Sequence, residues 1–136
     1  MTPSRLHRFD AVENFRDYGD YSTAAGRRVR GGRLFRAGHQ ARASEADVAR
    51  LASLNLATVV DLRRVSERRA QPSKRPDGFS GRVIEWAQAD DGEAPHITFL
   101  KTSPLTEEGG RAFMMQTYRR LPFEEAHLDL FRRYFL

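Results

Sequence analysis

At 136 residues, 40% of them hydrophobic and 30% charged, the chain has the size and composition of one globular domain rather than a disordered segment. Its formal charge of +5 rests almost wholly on arginine, since only Lys74 and Lys101 are lysines, and arginine is the residue suited to planar recognition of phosphate or carboxylate. There is no cysteine, which excludes disulfides, thiolate metal sites and a thiol nucleophile from these residues.

The opening segment, MTPSRLHRFDAVENFRD, lacks the apolar run of a signal peptide, and no later run is long enough to span a bilayer, so a soluble cytoplasmic protein is expected. Small residues from Tyr21 to Gly32 predict a loop or irregular hairpin leading into a short strand over 33–38 that Gly38 closes. Ser44, with Asp47 three residues on, predicts a capped helix whose inner face carries Val48, Leu51, Ala52 and Asn55. Val59, Val60 and Leu62 form an apolar run after that helix, as in a strand buried within a sheet.

Residues 63–81 are charged and broken by Pro72, Pro76 and Gly78, which predicts a turn or short helix and then a loop. A further strand is expected over 82–87, a loop over 88–96, and an irregular excursion as far as Pro104. Thr106 begins a helix that aligns Met114, Tyr118 and Leu121 and is interrupted at Pro122. The last helix places Phe123, His127, Leu130, Phe131 and Tyr134 on one stripe and carries no capping signal at Phe135 or Leu136. Strand, helix, strand, strand and then helices is an α/β order, with a small sheet flanked by helices.

Three extended runs each end in an arginine: ENFRDYGD with Arg16, GRLFRAG with Arg36, and TVVDLRRVSE with Arg63. Groups at the carboxyl ends of strands converge on the binding crevice of an α/β sheet, and three such arginines would suit a phosphate. The plainer alternative is local pairing with Asp17, Asp61 or Glu67, each arginine bracing its own loop. His7, His39, His96 and His127 lack ligand spacing, so no metal is expected. No serine occupies a nucleophile elbow.

The order NFRD, then GRLFRAG, then a helix, then VVDLRRVSE resembles the N-terminal half of the bacterial tyrosine phosphatase family, the cysteine-dependent protein-tyrosine and dual-specificity phosphatases. The resemblance runs from about Glu13 to the end and covers the MMQTYRRLP helix. It implies a single phosphatase-type α/β domain over 1–136, present in its N-terminal part and stopping before the active-site strand and its H-C-x-x-G-K-D-R-T-G loop. It further implies hydrolysis of a phosphate monoester through phosphocysteine, with a phosphorylated protein or phosphoinositide as substrate and no cofactor. In that frame Asp90, with Asp91 as alternative, corresponds to the general acid of the loop after the 82–87 strand, while Arg16, Arg36 and Arg63 remain candidate phosphate contacts on the strand-end argument alone. Lacking the thiol, the chain alone is expected to be inactive.

Other outcomes follow from the same residues. The scaffold could bind phosphorylated partners without catalysis, or be completed by another chain that brings the cysteine loop. The apolar stripe of the last helix would favour a homo-oligomer. A basic nucleic-acid binder would show itself by an affinity that falls steeply with salt.

Overall fold

A computed structural model describes residues 5–86 and 93–136. The protein is mixed α/β, with two small sheets and a set of helices, in two compact units. The first comprises 1–57 and 71–81, the second 58–70 and 82–136.

In the first unit β1 (Arg16–Asp17) pairs antiparallel with β2 (Phe35–Arg36), Arg16 standing opposite Arg36. The chain before β1 lies along its other edge through a bridge between Leu6 and Arg16. The hairpin expected over 21–32 is present: Thr23 N–H donates to Arg27 O at 2.7 Å, and Gly26 takes φ +72°, which L side chains adopt only with strain. Helix α1 (Glu45–Ser53) begins at the Ser44 cap, with Asp47 completing the capping box.

Phe15, Val12, Ala43 and Leu51 form the buried core of this unit, and Phe9, Phe35, Val48, Leu54 and Leu56 pack on it. The inner face of α1 differs from the one expected. Ala52 and Asn55 are exposed, whereas the carboxylate Asp47 is buried beside Leu51. A face chosen by hydrophobicity omits a charged residue; here the charge is buried because backbone N–H groups surround it.

In the second unit β3 (Thr58–Asp61) pairs parallel with β4 (Arg82–Glu85), and the short helix α2 (Val65–Ala70) follows β3. The strand stops at Asp61, so Leu62 is exposed rather than buried as the apolar run suggested, and Asp61 takes the buried position. Helix α3 (Pro95–Thr102) replaces the irregular excursion expected before Pro104. Its Pro95 sits in the first turn, where a missing N–H costs nothing. Helix α4 (Glu107–Arg120) starts at the Thr106 cap, and a 3₁₀ turn over Leu121–Phe123 carries the interruption at Pro122 into α5 (Glu125–Phe135).

Among the described residues of this unit, Leu130 and His127 of α5 and Ile84 of β4 are buried. Arg133 of α5 donates from Nη2 to Glu85 O at 2.9 Å, tying the helix to the end of β4. Phe123, expected on the same stripe, lies in the 3₁₀ turn and is 76% exposed.

Candidate functional site

The sequence-predicted site residues fall on both units. In the first, Arg16 and Arg36 are direct cross-strand partners on β1 and β2, and directly opposed residues project from the same face of a sheet. Arg16 does not pair with the neighbouring Asp17. Its Nη2 donates to Asn14 Oδ1 at 2.6 Å, and its buried Nε has no hydrogen-bond partner among the described residues. Asn14 itself has φ 58°, a left-handed conformation that asparagine tolerates better than most residues.

Asp17 serves the backbone instead. Oδ1 accepts from Gly19 N–H at 2.7 Å, and Oδ2 accepts from Gly32 N–H. A Cβ on Gly19 would stand 2.6 Å from Arg30 O, so this close passage of two chain segments requires glycine. Asp17 is therefore a loop brace, and its charge is directed to amides.

A cleft of about 560 Å³ lies beside this pair, and its lining includes Asp17 as well as Arg5, Arg16, Arg36, Tyr18 and Tyr21. The Arg5 guanidinium sits over the Tyr21 ring with Cζ 4.0 Å from the centroid, a cation–π contact. Sequence reasoning missed Arg5 and Tyr21. No sequence signal marks them: Arg5 is brought to the cleft by backbone pairing, Asp17 N–H donating to Arg5 O at 2.9 Å and aligning residues 5–7 with β1.

Arg63, in the second unit, has its guanidinium engaged by Asp61. Nε donates to Oδ1 at 2.9 Å and Nη2 to Oδ2 at 2.7 Å, the bidentate geometry of arginine with a carboxylate. Burial raises the Asp61 pKa, but the hydrogen bonds and charge of Arg63 outweigh it and hold the carboxyl below its ordinary value. The Asp61 hydrogen bond correspondingly raises the Arg63 pKa. Arg68 then donates to Arg63 O at 2.6 Å and Trp86 O at 2.9 Å, so the chain after β3 is laced to the end of β4. The local-brace alternative thus describes Arg63, with Asp61 as partner, while Glu67 accepts from Arg64 N–H at 2.9 Å.

Asp90 and Asp91, the candidate acids, lie outside the described residues. Among the described residues no group of three or more His, Cys, Asp or Glu is placed to hold a metal ion, and no helix is long and apolar enough to cross a membrane.

The profile of the tyrosine phosphatase family matches residues 7–136. A protein of Cupriavidus necator, provisionally named a tyrosine-protein phosphatase, is 36% identical over 129 residues, covering 91% of this chain and 45% of its own length. The triple specificity protein phosphatase PtpB of Mycobacterium tuberculosis is 37% identical over 101 residues, covering 71% of this chain and 35% of its own. The chain thus spans less than half the length of these two relatives. With a matched region that takes in the NFRD, GRLFRAG and VVDLR segments and all the helices described above, the chain belongs to the tyrosine phosphatase family.

Proposed function

We propose that these residues serve a cysteine-dependent phosphate-monoester hydrolase whose nucleophilic thiol comes from outside them, in one domain to which all of 1–136 contributes. The observation that carries this is family membership across residues 7–136 in a chain with no cysteine. A phosphorylated protein or a phosphoinositide is the substrate, and the chemistry needs no cofactor. A cytoplasmic setting suits it, because a thiolate nucleophile stays reduced there.

Each candidate residue has a part in this reaction. Asp90, or Asp91 beside it, protonates the departing oxygen. Arg16 and Arg36 are available to phosphate, while Arg63, its fork held by Asp61, fixes the segment after β3 and lends positive charge. The purified 136 residues are expected to release no p-nitrophenol from p-nitrophenyl phosphate. Turnover that survives removal of contaminating phosphatases and disappears on a point change in this chain would overturn the assignment.

Self-association is a second element of the proposal. Phe123 at 76% and Phe135 at 80% exposure, with Phe131 also on the surface, present apolar area that water disfavours. Light scattering at high micromolar concentration is expected to give a dimer or larger species. A monomer with a cooperative melt would remove this element and leave the chemistry untouched.

A further inference from the structure

The positive charge of the chain is not spread over it. Residues 21–44 hold six arginines and no aspartate or glutamate, so this stretch carries +6 and the other 112 residues together carry −1, with histidine neutral. Most of the stretch lies in the ribbon that continues the β1–β2 pair. There Tyr18 N–H donates to Leu34 O at 3.0 Å, Val29 N–H donates to Tyr21 O at 2.9 Å, and Ser22 bridges to Arg28.

Arg27, Arg28, Arg30 and Arg33 are all exposed. Asp20 takes up Arg28, its Oδ1 accepting from Nε at 3.0 Å. Asp17, at the root of the ribbon, accepts from the Gly19 and Gly32 amides and offsets charge there. Among the described residues the side chains of Arg27, Arg30 and Arg33 make no hydrogen bond or ion pair, so the excess charge lies with them. The turn that ends the ribbon is small and uncharged: Ser22, Thr23, Ala24, Ala25 and Gly26. Thr23 fixes it, its carbonyl accepting from Gly26 N–H at 3.0 Å and its hydroxyl from Arg27 N–H at 3.1 Å.

We propose that this ribbon docks on the surface of an anionic lipid bilayer, its neutral turn entering the headgroup layer and Arg27, Arg30 and Arg33 meeting the lipid phosphodiesters around it. Charge complementarity carries the assignment. Basic clusters are drawn to anionic leaflets, each cation near the surface strengthening attachment about fivefold. Tyr21 is 55% exposed beside the turn, with the Arg5 Cζ 4.0 Å above its ring, and tyrosine settles at headgroup level. A single-stranded nucleic acid fits less well, because it needs open aromatic platforms. Tyr21 is covered by Arg5, and Phe35 packs on the core.

This contact goes beyond the phosphatase reaction and does not depend on it. The bulk anionic lipids are phosphodiesters rather than monoesters, and attachment needs no thiol.

Flotation of the 136-residue chain tests it, with vesicles of phosphatidylcholine alone and of phosphatidylcholine mixed with phosphatidylglycerol. The chain is expected to float with the mixed vesicles, to stay behind with the neutral ones, and to be released as salt rises. The triple variant Arg27→Gln, Arg30→Gln, Arg33→Gln is expected to lower the partition coefficient about a hundredfold. Its melting temperature is expected to match that of the parent, because the three side chains are exposed and hold no partner. Arg69→Gln, Arg111→Gln and Arg119→Gln together remove the same charge from α2 and α4 and are expected to cost much less.

No flotation, or equal flotation with neutral vesicles, would overturn the assignment, the latter by giving attachment to exposed apolar surface. Equal losses in the two triple variants would replace the ribbon by a diffuse charge effect. Displacement from the vesicles by duplex DNA at equal phosphate concentration would give the ribbon to nucleic acid instead.

Discussion

Asp47→Ala is expected to lower the unfolding free energy by about 3 kcal/mol or more, since it removes the Asp47 half of the capping box and strands several partly buried donors at about 1–3 kcal/mol each. The carboxylate is only 2% exposed. It accepts from Asp10 N–H at 2.7 Å, Ala11 N–H at 2.8 Å and Val12 N–H at 3.2 Å, joining the first segment of the chain to the start of α1. Ser44 N–H lies 3.4 Å away, and Ser44 Oγ accepts from Asp47 N–H at 3.1 Å. Asn in its place would keep one acceptor oxygen but turn an N–H₂ group toward backbone N–H groups, so Asp47→Asn also destabilises.

The same carboxylate makes stability depend on acid. Burial raises its pKa, but the backbone hydrogen bonds from Asp10, Ala11, Ser44 and Val12 outweigh this and hold it below the ordinary 3.8. A group whose pKa falls on folding stabilises the protein fully above the unfolded value, and that contribution is lost as pH drops through the folded value. Denaturant melts from pH 7 downward are expected to stay level in this respect until about pH 4 and then decline, more steeply in the parent than in Asp47→Ala. Equal stability of parent and variant at pH 7 would show that the amide cage contributes nothing.

Asp47 also illustrates what the sequence could and could not reveal. The capping box is a local signal, confined to the four residues from Ser44 to Asp47, and it was legible. The amides of residues 10–12, which make the residue central to the first unit, lie more than thirty positions upstream, and no spacing announces them. Gly26, Pro122 and the Thr106 cap act within a turn of themselves, and the hairpin, the 3₁₀ turn and the start of α4 stand where these residues place them. Pro95 was a usable sign of a helix start, overshadowed by the loop-like residues before it.

At the candidate site, strand-end arginines were visible as a repeated pattern, but the direction of each side chain was not. Arg63 turns to Asp61 because the fork and the carboxylate meet two residues apart. Arg16 passes by Asp17 because consecutive strand residues project from opposite faces. Arg5 enters the cleft through pairing of 5–7 with β1, a short ladder with no apolar alternation to predict it.

Joining the chain to a segment that bears the family's cysteine signature is expected to expose the second large effect. Asp90→Asn keeps the side-chain size but removes the transferable proton, lowering kcat toward phosphotyrosine by about a hundredfold or more, the scale of general acid catalysis. For an aryl phosphate whose leaving group is already a stable anion, the loss is expected to be much smaller. Asp91→Asn is the paired test, and the larger loss identifies the acid. Equal losses for good and poor leaving groups would assign Asp90 to positioning, and no loss in either variant would remove both from the chemistry.

The division of labour between scaffold and nucleophile is tested most directly by phosphate release from a phosphotyrosine peptide, measured on the 136 residues alone and on the joined protein. The expected result is no release from the chain alone, turnover by the joined protein, and its loss when the joined cysteine is changed to serine. Turnover by the chain alone, or turnover by the joined protein that survives the cysteine change, would contradict a phosphocysteine reaction built on this scaffold.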